Sequence, residues 1–441
     1  MKLTFISVCI ATGLSIITSN AVLAQKVNFT EYNLSNGLHV ILHQNKSAPV
    51  VAVSVMYHVG SKNEVQGRTG FAHFFEHLLF EGSPNIKRGE FMKYVSANGG
   101  QNNANTSFDR TFYYEVFPSN QLELGLWLES ERMMHAVIND TGVNTQRDVV
   151  KEEKRLRMDN APYGMHMYAE VFKRLFQGTI YEWMPIGSME DLNQAKIEEF
   201  RNFYKKFYIP NNATLVISGD IDIAKTKTLV EAYFSEIAKG TPVVQPLAAI
   251  EPLTKEIVDT TYDPNIQVPA IITAYRSPSL KSKETKIFNL ISSLLSSGGS
   301  SRLNKKMVDE KKEALGVSAF NLSLENSGIY AIFALPNGNT SLDTLLGDID
   351  KEIKNLQTNL ISAEEYKKLL NQAENDFVSA NTTNLGIVNN LADAYTFQGN
   401  TNYVNMELNE IRSITREDIR EVAKKYLNDK QRLVLYYLPK K

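Results

Sequence analysis

Residues 70–82, GFAHFFEHLLFEG, place two histidines, His73 and His77, one helical turn apart, with Glu76 directly before the second. On an α-helix these three positions fall within an arc of about 100°. Both imidazoles can then face one ion, with the carboxylate beside it. Zinc suits such a set, because it takes neutral histidine nitrogens as ligands and keeps one position open for water in catalytic sites. A carboxylate that does not bind the metal can remove the water's proton, which makes Glu76 the candidate general base. The order inverts the familiar HExxH arrangement while using the same helical face. The alternative, two polar residues on an ordinary amphipathic helix, fits poorly. Phe71, Ala72, Phe74, Phe75, Leu78, Leu79 and Phe80 make this helix apolar almost all round, the signature of burial. Buried imidazoles beside a buried carboxylate are costly without a metal or full hydrogen bonding.

A tetrahedral catalytic zinc takes a third protein ligand. The stretch 145–160, TQRDVVKEEKRLRMDN, offers Glu152 and Glu153. Glu153 shares a face with Val149 and Val150, whereas Glu152 shares one with Asp148 and Arg155. An apolar face points inward, so Glu153 is the expected ligand and Glu152 a surface ion-pairing residue. The expectation is one Zn2+ per chain.

The elements that must position these groups follow from the surrounding pattern. Asn36-Gly37 between short alternating runs signals a hairpin. Residues 49–61 read as an apolar, β-branched central strand, and the motif helix follows, stopped by Gly82 and Pro84. A helix at 89–97, a Gly99-Gly100 turn, strands around 101–107 and 110–117, and long helices at 120–137 and 144–160 come next. Residues 211–222 close this half with a strand. Four prolines and no helical periodicity mark 239–264 as a linker, after which a strand, a helix, two strands and further helices repeat the scheme. Residues 205–217 and 424–436 echo one another as helix end, polar turn and strand, which points to two similarly built halves. The predicted architecture is α+β: two related domains, each a mostly antiparallel mixed sheet packed with helices, at 25–238 and 265–441.

Residues 1–24 read as a secretory signal: Lys2, a short apolar stretch, and small residues Val22 and Ala24 before a cleavage point. The single cysteine, Cys9, falls inside it, so the exported chain has no thiolate ligand or disulfide. A net charge of −2 without a basic block argues against nucleic acid, and no later run is long and apolar enough for a stable membrane anchor. A periplasmic location is expected.

The motifs together resemble the pitrilysin/insulinase-type zinc metallopeptidases, in particular the half-length branch similar to the mitochondrial processing peptidase β subunit. The inverted HFFEH, the downstream glutamate at Glu153, the stretch GGQNNANTSFDRTFYYE at 99–115 and PIGSMEDL at 185–192 carry the resemblance. It implies peptide-bond hydrolysis by zinc-activated water. It also implies that Asn103, Ala104 and Thr106 lie on an edge strand that receives the substrate backbone. Two departures stand out. Gln146 occupies the place of a second glutamate found in many members. The spaced Arg/Tyr pair that holds substrate in active members is missing from 300–320, where Glu310 and Val317 stand instead. Arg302 belongs to a separate SRL element. Metal and base without a donor for the developing oxyanion lack a large catalytic term. The resemblance therefore implies a related partner subunit supplying Arg and Tyr in a heterodimer, with a homodimer as the other arrangement. A non-proteolytic scaffold of the same fold is the alternative function.

Overall fold

The computed structural model describes residues 26–440; the expected signal segment 1–24, with Cys9, lies outside the described residues. Two mixed sheets organise the chain. The first contains β1 (Thr30–Asn33), β2 (His39–Gln44), β3 (Val50–Tyr57), β4 (Gln101–Thr106), β5 (Thr111–Pro118) and β6 (Ala213–Gly219), in the spatial order β1-β2-β6-β3-β5-β4. The second contains β7 (Ile257–Asp263), β8 (Ala270–Ser277), β9 (Ala314–Ser323), β10 (Gly328–Pro336) and β11 (Arg432–Pro439), in the order β7-β11-β8-β10-β9. In each sheet the strand that closes the half, β6 or β11, enters between the first two strands of a shared scheme. It pairs parallel to one neighbour (β2 or β7) and antiparallel to the other (β3 or β8). The second sheet thus repeats the first without β1, as the echo between 205–217 and 424–436 implies. One expectation needs correcting: 257–263, assigned to the linker, is the strand β7. Ile257, Val258, Thr260, Thr261 and Tyr262 favour a strand, but four of its seven residues are exposed, and it pairs only as an edge strand, parallel to β11. Residues 239–256 carry no regular element.

The central strands are buried on both faces, which explains their unbroken apolar runs. Along β3, Val51, Val53 and Val55 face the core containing the motif helix, while Ala52 and Met56 face the opposite side. What covers that opposite side comes from the other half: Ile387, Val388, Leu391 and Ala392 of the helix Asn384–Gln398 pack on Ile41, Ala52, Met56 and Val216. The reverse also holds. Met167, Val171, Phe172 and Leu175 of the helix Met165–Leu175 pack on Ile272, Ala274, Ile329 and Leu433 of the second sheet. Each half lends a helix to the other.

Candidate metal and active centre

The motif helix spans Phe71–Leu78 and begins after Gly70, whose φ of +92° reverses the chain. A side chain at Gly70 would strain that left-handed backbone, and its Cβ would lie 2.9 Å from the Ile186 carbonyl oxygen. Glu64 then accepts the N–H groups of Gly70 and Ala72, both at 2.9 Å, satisfying donors that the first helical turn leaves open. Phe71 and Phe75 stack on Phe200 and Phe203, Phe74 packs tilted on Phe200, and this aromatic anchor sets which face turns outward. Tyr113 Oη donates to the Phe75 carbonyl at 2.9 Å.

The remaining face presents His73, Glu76 and His77 to the helix Asp140–Lys154. Glu153 Oε2 lies 3.1 Å from His77 Nε2 and 3.5 Å from His73 Nε2. Ligand atoms of these three residues lie within 4.8 Å of one another. His77 Nε2 and Glu153 Oε2 are buried and 3.1 Å apart, and neither makes a well-directed hydrogen bond, so two acceptor-capable atoms face one another. A cation between them satisfies both, which is the fit expected of a metal site. Burial, and then His77, lower the pKa of His73 to about 4, so its imidazole is neutral as ligation requires. Glu153 is held below its ordinary value by His77 against the effect of burial. Arg157 pairs with the other carboxyl oxygen, Oε1, at 2.9 Å and leaves Oε2 directed at the histidines. Its spacing from Glu153, one helical turn on, was a signal available in the sequence.

Glu152 points away, in an exposed bidentate pair with Arg155 at 2.5 and 2.8 Å. Val149 departs from the expected inward face. Val150 is fully buried but Val149 is 43% exposed, so the inward stripe of this helix runs through Val143, Val150 and Glu153 without Val149. Glu76 is not in the metal-capable group. Its Oε2 accepts the Thr106 hydroxyl at 2.6 Å. Burial raises its pKa, and the bond from Thr106 and the nearness of His77 only partly offset this.

Thr106 ends β4, the free edge of the first sheet. Ser107 N–H donates to the Arg110 carbonyl in the adjoining turn (2.8 Å). Antiparallel ladders alternate bonded and non-bonded pairs, so counting back puts the peptide groups of Thr106, Ala104 and Asn102 on the outer edge. Ala104 N–H is met there only by the side chain of Asn103, at 2.8 Å. Of the three residues expected on the substrate strand, Ala104 and Thr106 offer outward backbone, whereas the Asn103 backbone pairs with β5. Gln146 donates to Glu81 Oε1 at 2.6 Å, a contact that a second carboxylate could not make without a proton. Arg302 is bound by Glu365 (2.7 and 3.0 Å) and Glu352 (2.8 Å), so its guanidinium is occupied within its own half. Val317 is buried on β9 and Glu310 is exposed.

Residues 39–177 match the family described as insulinase (peptidase family M16), and residues 194–373 match the peptidase M16 inactive domain. The zinc protease PqqE of Helicobacter pylori is 30% identical over 413 residues, covering 92% of each chain. The crystal structure of a protease from Helicobacter pylori superposes with a TM-score of 0.86 at 28% identity, over 93% of this chain and 99% of that one. The periplasmic protease PqqL of Escherichia coli gives a TM-score of 0.76 at 19% identity, over 93% of this chain and 47% of that chain. The matches over both halves and the 30% identity to a zinc protease along 92% of each chain place this chain in the insulinase-type M16 peptidase family.

Proposed function

We propose that this chain is the metal-bearing subunit of a periplasmic zinc metalloendopeptidase that hydrolyses peptides or unfolded segments. The observation that carries the reading is the convergence of His73, His77 and Glu153, with Glu76 tied by Thr106 to an open sheet edge. Bound here, zinc supplies Lewis acidity and brings the pKa of a water toward neutrality. The chain's own residues supply the rest. An extended peptide adds to β4 through the outward groups of Ala104 and Thr106, which aligns its backbone beside Glu76. Glu76 Oε1, the oxygen that Thr106 leaves free, takes the proton of the attacking water and delivers it to the departing amine nitrogen. Asn103 must release Ala104 N–H before the peptide can pair there.

Nothing on 300–320 offers an Arg/Tyr pair, and Arg302 is committed to Glu352 and Glu365. A related second chain carrying that pair completes the centre in this reading. The test is to express 25–441, measure zinc, and assay a quenched peptide library with and without a related chain from the same host. The chain alone is expected to bind about one zinc and cleave poorly. The partner should raise turnover about a hundredfold or more, as removal of an oxyanion donor lowers it elsewhere. Full activity from a homodimer would remove the heterodimer while leaving the peptidase. A zinc-loaded protein inactive with every related partner would favour the scaffold alternative.

A further inference from the structure

A second cluster lies apart from the metal centre, at the seam between the halves. Lys62 is almost completely buried (1% exposed); its ammonium pairs with Glu325 and lies 3.6 Å from Asp109 Oδ1. Glu325 Oε2 also meets His58 Nε2 at 2.8 Å. Glu325 sits in the turn between β9 and β10, so a carboxylate of the second half is inserted into the first. Its backbone N–H donates to Asp109 Oδ2 at 2.9 Å. The next residue, Asn326, donates from its backbone (3.2 Å) and its amide (3.0 Å) to Tyr181 Oη, which donates to Asp109 Oδ1 at 2.8 Å. Burial pushes the Glu325 pKa up, but His58 and Lys62 outweigh it and hold the group at about 2. Buried ion pairs are poor stabilisers compared with apolar packing, so the cluster calls for another role.

Two of the three groups that Glu325 engages, Lys62 through its side chain and Asp109 through its backbone N–H, lie on segments that adjoin the reacting residues. Lys62 lies in the short turn Ser61–Asn63, directly before Glu64, whose carboxyl receives the first N–H groups of the motif helix. Trp183 Nε1 binds both ends of this joint, Glu64 Oε2 at 3.0 Å and the Ser61 carbonyl at 3.2 Å. Asp109 lies in the β4–β5 turn, just beyond Thr106. The two segments touch through their backbones: Lys62 N–H donates to the Phe108 carbonyl at 2.9 Å and Ser61 N–H to that of Ser107 at 3.3 Å. A Cβ at Gly60 would lie 2.4 Å from both of those carbonyl oxygens, so only glycine permits the approach. The motif helix and the substrate edge therefore meet at one joint, and the second half closes it.

We propose that Glu325 is a positioning residue: through Lys62 and Asp109 it sets where Glu76 stands relative to Thr106 and the edge of β4. Its kinetic consequence rests on the peptidase reading; its structural consequence does not. Glu325→Gln keeps the shape of the side chain and removes its charge. In the full chain this variant should hold zinc at the wild-type level, while amide exchange over 71–78 and 101–106 quickens about tenfold or more. In whichever complex turns over, kcat should fall about ten- to a hundredfold, with KM within about twofold. Lys281→Ala, which removes the exposed cation 3.8 Å from Glu325 Oε1, should alter neither. The double variant Lys62→Met/Glu325→Leu removes the Lys62–Glu325 ion pair and leaves Asp109 its hydrogen bonds from Tyr181 and the Glu325 N–H, so its thermal midpoint should rise above that of Glu325→Gln while exchange stays fast and kcat low. It also stands in if the single variant does not fold. Unchanged exchange and kcat in folded Glu325→Gln would overturn the proposal, as would kcat recovering together with stability in the double variant. If zinc-loaded wild type cleaves no peptide, the peptidase reading fails, and exchange over the two segments still decides the positioning role.

Discussion

Glu76 and Glu153 are carboxylates from neighbouring elements whose environments separate their roles. Glu76 is pushed toward protonation by burial and donates no ligand atom to the metal-capable group. Glu153 is pulled the other way by His77 and directs Oε2 between the histidines. Glu76→Gln is expected to retain zinc and lose hydrolysis by about 10²–10⁴-fold, since a base is removed and no ligand is. Metal analysis of the folded variant, paired with a peptide assay, checks this; zinc loss would show Glu76 to be a ligand. Glu153→Gln is expected to weaken zinc binding strongly, whereas Glu152→Gln removes only an exposed pair with Arg155 and should leave it unchanged. Competition with a chelator ranks the two, and equal retention would place the third ligand elsewhere.

At the level of elements, β4 matters through what it leaves unpaired. Natural sheets usually protect a free edge; here protection of Ala104 N–H is a single reversible contact from Asn103. Proline is tolerated on an edge strand where its missing N–H faces outward. Ala104→Pro should therefore fold and bind zinc as wild type but raise KM for extended peptides by about tenfold or more, the loss of one charge-free hydrogen bond plus a misaligned strand. Asn103→Pro should instead remove a ladder bond to β5 and lower the thermal midpoint. The opposite pattern would mean that the register counted from Ser107 and Arg110 is wrong. The helix Asp140–Lys154 has a comparable duty, since Val143 and Val150 seat it against the motif helix core and so fix the approach of Glu153.

For the whole molecule, the exchanged helices make the halves interdependent. Without Asn384–Gln398, the apolar face formed by Ile41, Ala52, Met56 and Val216 is open to water; without Met165–Leu175, the same holds for Ile272, Ala274, Ile329 and Leu433. Exposing several such side chains costs about 1.5–3 kcal/mol each, comparable in sum with the whole stability of a domain. Leaving Lys62 buried without Glu325 adds to that cost. Fragments 25–238 and 239–441, the second retaining β7, are thus expected to be insoluble or molten when made separately, and to recover native circular dichroism and protease resistance when co-expressed. Independent cooperative unfolding of either fragment would show that the exchange is dispensable.

The sequence by itself determined what depends on short spacing. Helical periodicity puts His73, Glu76 and His77 on one face whatever surrounds them, and the phenylalanines beside them demand burial. The strand runs and the echo between 205–217 and 424–436 follow from equally local rules and point to two similarly built halves, which the family resemblance makes two related α+β domains. Tertiary structure decided what depends on distant partners. The exposure of Val149, the pairing of 257–263 with β11, the hydroxyl of Thr106 on Glu76 and the insertion of Glu325 beside Lys62 have no local signature. Each is set by a contact between residues far apart in the chain, and a periodic pattern reports which side of an element is apolar without reporting what will lie against it.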